Sequence, residues 1–168
     1  MLLIDTLKNR LAEYNYNKSD SGLINGIPFN LVLRTAREKL RFLCVVAEVP
    51  ENVVDIEDLQ DFFERIRTSL TMQYAWSPSW KELGTFTILM CKHDLFVQIK
   101  GNEALFVDKT GFHSNVMLGT FFIDSTTFEH LQKTTWGLFY SGKHFKAIEN
   151  EVTEWCQSQS INLNNGAD

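Results

Sequence analysis

The sequence predicts an α+β fold, a single compact domain. Its mixed or mainly antiparallel sheet is packed by an N-terminal helix, a long central helix over residues 55–74 and a C-terminal helix over residues 144–157. Three observations carry this expectation. Ile56, Leu59, Phe63, Ile66 and Leu70 recur at spacings of three and four, which lays one apolar stripe down a helix. Two apolar, β-rich runs precede that helix and another follows it, giving the stripe a sheet to rest on. No repeat, long linker or low-complexity block interrupts residues 1–157, whereas residues 158–168 are polar and predict a flexible tail.

The first helix is read from Ile4, Leu7, Leu11 and Tyr14, which repeat the same spacing. Asn15, Asn17, Ser19, Asp20, Ser21 and Gly22 follow, side chains that compete for backbone hydrogen bonds and predict a turn-rich connection. Over residues 29–36, Phe29, Leu31 and Leu33 alternate with Asn30, Val32 and Arg34, the pattern of a strand with one wetter face. Residues 40–49 are apolar on both faces and predict a central strand, joined to the previous one by a hairpin at Arg37, Glu38 and Lys39 and stopped by Pro50.

Asp55 is placed to cap the central helix, and Glu57, Asp58 and Asp61 near its start with Arg65 and Arg67 later suit the helix dipole. A Trp/Pro connection leads to a strand from Gly84 to Cys91, and residues 94–100 read better as a short helix ending at Gly101 than as more strand. Strands are expected at 104–107 and 116–123, a short helix from Thr126 with Glu129 completing a capping box, and a strand at 136–140. Phe145, Ile148, Val152 and Trp155 form the stripe of the final helix.

Composition narrows the function classes. A chain of 168 residues, 44% apolar and with 13 Phe, four Tyr and four Trp, has the material for a substantial core. Its net charge of −5 opposes a phosphate backbone, so nucleic acid is not the expected partner. Cys44, Cys91 and Cys156 are odd in number, far apart and set in apolar runs, which points to a reducing compartment. Asp5 precedes the first lysine, the wrong order for an export signal, and no run of about 18 apolar residues exists to cross a membrane. A cytoplasmic protein without a membrane partner is expected, and Asn17-Lys18-Ser19 is then a chance glycosylation match.

Several constellations carry candidate chemistry. Gly137 to His144 has the glycine and lysine spacing of a phosphate-binding loop, but His144 stands where a magnesium-holding hydroxyl is needed. Asp108 and Asp124 each end an apolar run, and on adjacent strands with His113 nearby they would serve as a hydrolase or nuclease acid–base set. Cys91 and His93, two apart, are a weak zinc pair with no matching second pair. Arg34, Arg37, Lys39 and Arg41 form a basic group at the expected hairpin tip, able to touch phosphates yet explained as a solvated face.

Tyr74, Trp76 and Trp80 are either a lid over the core or anchors for a partner. The order helix, strands, helix, strand also suits nucleases that set an acid on one strand and Glu-x-Lys on the next. Here Glu48 has no lysine two residues on, and Gln98-Ile99-Lys100 is only a loose variant. That element order resembles small α+β secretion-chaperone and regulatory domains, without a shared motif. The expectation is a non-catalytic interaction or adaptor module, needing no cofactor, that binds a protein partner or itself through a sheet face or edge and its aromatic loop. The alternatives are the hydrolase or nuclease and a small-ligand binder with an aromatic pocket.

Overall fold

Helices lie on both faces of a six-stranded sheet whose strands run in sequence order across it. The structure, a computed structural model, describes residues 2–35, 41–75, 83–108, 114–135 and 138–165. The elements are α1 (Leu3–Ala12), β1 (Tyr16–Ile24), β2 (Ile27–Thr35), β3 (Arg41–Glu48), α2 (Ile56–Tyr74), β4 (Leu83–Cys91), α3 (His93–Ile99), a 3₁₀ turn (Glu103–Phe106), β5 (Asn115–Asp124), β6 (His130–Thr134) and α4 (Leu138–Asn165). β3, β4 and β5 are parallel neighbours, and the pairs β1–β2, β2–β3 and β5–β6 are antiparallel, so the sheet is mixed. α2 and α3 connect the parallel strands, as parallel pairing requires a long crossover.

The expected central helix rests on the sheet as its stripe demands. Leu59, Phe63, Ile66 and Leu70 are buried with Leu43, Val45, Leu89 and Phe122 beneath them. Asp55 caps it, its carboxylate accepting from the Asp58 amide at 2.9 Å. On the opposite face, Leu7 and Leu11 of α1 and Ile148 and Val152 of α4 pack with Phe86, Phe121 and Ile123. Both sheet faces are therefore covered, and β1 and β6 are the outer strands. Residues 94–99 are helical as expected.

Several local expectations are overturned. The polar cluster at 15–22 is mostly strand β1, an outer strand whose residues between Tyr16 and Ile24 are largely solvent-facing, so no alternation betrays it. Residues 104–106 are a 3₁₀ turn, since the apolar Phe106 is buried against Phe63 and Phe122 without any ladder pairing. No helix starts at Thr126: Asp124 accepts from the Thr126 amide at 2.8 Å and the Thr127 hydroxyl at 2.7 Å, closing a turn into β6. Residues 138–140 belong to α4, which also continues past the expected end at 157 to Asn165, so 158–165 are helical.

The face assignment of β2 is also corrected. Phe29 joins the α2-side core, whereas Leu31 and Leu33 join the α1/α4-side core and Val32 points back to α2. The cause is a bulge: Asp20 pairs with Val32 but Gly22 with Phe29, which leaves one extra residue on β2. Alternation read across that point assigns the wrong face.

Candidate anion-binding pocket

The basic group and the aromatic group of the sequence meet at one end of the sheet. β1 and β2 run antiparallel with Lys18 opposite Arg34, and β3 begins beside them at Arg41. The last turn of α2 lays Tyr74 across this corner, buried in the core with its hydroxyl donating to Asp20 Oδ2 at 2.8 Å. Arg34 stacks on the Tyr74 ring, guanidinium carbon 4.8 Å from the centroid, and one of its amino groups reaches the same Asp20 oxygen at 3.0 Å. Burial, then the hydrogen bond to Asp20, pushes the Tyr74 phenol upward, so it stays protonated and acts as a donor.

These residues enclose a cavity of about 200 Å³. Lys18, Arg34 and Arg41 are its cations, Thr35, Gln73 and Tyr74 supply hydroxyl and amide groups, and Leu43 and Leu83 are its apolar lining. The cavity occupies the amino end of the parallel pair β3–β4, where Arg41 lies opposite Leu83. Arg37, Lys39, Trp76, Trp80 and His113 fall outside the described residues.

At the opposite end of the sheet, β4 and β5 finish side by side at Cys91 and Asp124. Asp124 is fully buried and holds His93 Nδ1 at 2.6 Å. Burial raises its carboxyl, but hydrogen bonds from His93, Thr126 and Thr127 outweigh this and hold it below the usual carboxylate range. An ionised carboxylate only accepts, so Nδ1 carries the proton donated to it and the neutral ring keeps its lone pair on Nε2. The hydrogen bond to Asp124, with Asp94 and Glu129 adding charge, raises the His93 imidazole.

The carboxylate pair of the hydrolase reading does not form. Asp108 receives the Met117 amide at 2.7 Å and Arg67 at 2.5 Å, near the start of β5. Asp124 ends that strand seven residues past Met117, roughly 23 Å away at about 3.3 Å per residue. Asp108 is thus a buried anchor for Arg67 and the strand.

The zinc reading fares no better. The Cys91 thiol donates to the Ile123 carbonyl at 3.5 Å and is pushed up to about 12, first by burial and then by Asp124, so it stays protonated. Among the described residues, no group of three or more His, Cys, Asp or Glu side chains is set to hold a metal ion.

The phosphate-loop spacing likewise has no loop. Residues 138–142 are already helical, and His144 is buried against Phe42, Tyr14 and Tyr16 at ring distances of 4.4, 5.5 and 5.6 Å. The Glu-x-Lys variant also dissolves, because Gln98 donates to the Val54 carbonyl from α3 and Lys100 pairs with Glu129 at 3.0 Å. Glu48 receives the Asn30 amide at 3.3 Å.

Lys18, Thr35 and Gln73 of the pocket, and Asp20 beside it, escaped the sequence reading. The dipeptide Asn25-Gly26, both residues at positive φ between the paired Ile24 and Ile27, is the signal that exposes β1 and with it the positions of Lys18 and Asp20. Comparison of the chain with protein-family models, with curated proteins and with solved structures returns no match in any of the three.

Proposed function

We propose that the chain is a non-catalytic binding module that takes an acidic group of its partner or ligand into the pocket of Lys18, Arg34, Arg41 and Tyr74. One observation carries this reading: in a chain of net charge −5, three cations from three strands line one cavity. Local positive potential inside an acidic molecule selects anions while the remaining surface repels polyanions. The size supports a single acidic group. A cavity of about 200 Å³ is smaller than the roughly 300–1,000 Å³ of whole-ligand pockets.

Tyr74 serves this module from below, as the platform on which Arg34 lies. A protein partner would present the group on a side chain or chain terminus, docking at the β1 edge from which Lys18 projects. Self-association is the same reading with a second copy as partner, and light scattering at micromolar concentration separates the two cases.

Titration with inorganic phosphate at low ionic strength, read by thermal shift and amide NMR, tests the proposal. Saturable stabilisation is expected, growing with the logarithm of ligand concentration above Kd. Arg34→Gln should weaken it roughly tenfold or more, since a hydrogen bond to a charged group contributes about 1.5–3 kcal/mol. Shifts scattered over the surface, or undiminished binding by Arg34→Gln, would overturn the assignment.

A further inference from the structure

Asp20 reaches Arg34 of this pocket, and its position is unusual for a mere surface acid. A single oxygen, Oδ2, takes both the Tyr74 hydroxyl at 2.8 Å and an Arg34 amino group at 3.0 Å. Arg34 still lines the cavity, and its Nε is buried without a hydrogen-bond partner among the described residues. The guanidinium therefore keeps donor capacity beyond what Asp20 satisfies. Asp20 itself lies on the solvent-facing stretch of the outer strand β1, its side chain 40% exposed, so it can swing outward without opening the core.

Resting on the anion-pocket reading above, we infer that Asp20 is an internal placeholder for the ligand's oxygen. In the empty protein its carboxylate neutralises Arg34 and prevents a partly buried, unpaired cation over the Tyr74 ring. A dianionic oxyanion such as a phosphate group offers several acceptor oxygens to Arg34 and Lys18 together. It displaces Asp20, which rotates into water. A monoanionic carboxylate only exchanges one carboxylate for another at Arg34 and gains less. The pocket thus selects phosphate-type groups over carboxylates, and Asp20 sets the threshold.

The test compares wild type, Asp20→Asn and Tyr74→Phe in the full chain, titrated with inorganic phosphate, O-phosphoserine and acetate. Asp20→Asn removes the competing charge and should bind both phosphate probes about tenfold more tightly, with a smaller gain for acetate. Tyr74→Phe removes one of the two bonds that hold the carboxylate and should shift affinity in the same direction by less.

Phosphoserine binding tighter than phosphate identifies a phosphorylated side chain as the source, and the reverse order identifies a free anion; either is compatible with displacement. Wild type that binds phosphate while Asp20→Asn binds equally or more weakly overturns the inference, because Asp20 then only positions Arg34. Failure of wild type and both variants to bind any probe overturns the pocket reading itself.

Discussion

His93 and His144 respond to acid in opposite senses, because one meets a carboxylate and the other is buried among rings beside Lys143. The Asp124 hydrogen bond raises the His93 imidazole, so the stability it adds is complete below its ordinary value of 6.5 and is lost as pH rises through the folded value. Asp124 is depressed, so its share is present above its ordinary 3.8 and vanishes as pH falls through the folded value. The pair therefore contributes most between about pH 4 and 6.5. His93→Gln should lower Tm most inside that window and least at pH 8. An equal loss at every pH would mean that the pair adds no charge interaction.

Burial, then Lys143, lowers His144 to about 4, and its Nδ1 is buried without a hydrogen-bond partner among the described residues. Its depressed value means that stability present above 6.5 drains away as pH falls. His144→Phe should remove that drain and raise stability by about 1 kcal/mol by eliminating an unsatisfied polar atom. A variant whose Tm falls in parallel with wild type from pH 6.5 to 4 would place the acid sensitivity elsewhere.

Among the elements, closeness of approach decides where the long helix α4 sits. A Cβ built on Gly119 of β5 would lie 2.9 Å from Phe145 Cδ2 and 3.2 Å from Phe86, so the glycine lets α4 press onto the sheet. Gly119→Ala should cost about 1–3 kcal/mol through overpacking, despite the entropy an alanine saves in the unfolded chain. Urea unfolding measures this, and an unchanged midpoint would show that Phe145 yields freely.

Elements with a buried stripe or run were legible in the sequence: α1 and α2 announce themselves by periodicity, β3, β4 and β5 by their apolar runs, and α3 only as the better of two readings of the stretch before Gly101. What was not legible followed from local chemistry with two outcomes. Thr126 and Glu129 have the spacing of a capping box, but Asp124 captured the Thr126 amide first and made a turn. β1 carries no stripe because it faces water, and so the pocket was half visible: Arg34, Arg41 and Tyr74 stood out by type. Their meeting with Lys18 and Asp20 depends on pairing across a hairpin and onto a helix end, which composition does not encode.

At the level of the whole molecule, two hydrophobic cores share one sheet, and β3 to β5 contribute side chains to both. The three cysteines are buried and free. No helix among the described residues is long and apolar enough to cross a membrane. Because the same strands floor both cores, neither core can melt while the sheet survives. Calorimetry should show one transition, with equal calorimetric and van't Hoff enthalpies. Two resolved transitions would show that the helical layers separate independently.

The bulge in β2 extends this dependence to the hairpin that builds the pocket. Near its tip the ribbon is bolted to the α2 layer by Ile27 and Phe29, while farther down Leu31 and Leu33 grip the α1/α4 layer. Deleting one residue at the bulge would turn the tip inside out, exposing Phe29 to water and driving Asn30 inward. A single codon lost there would wreck recognition and architecture together, whereas the solvent-facing positions of β1 other than Lys18 and Asp20 can drift in sequence at little cost.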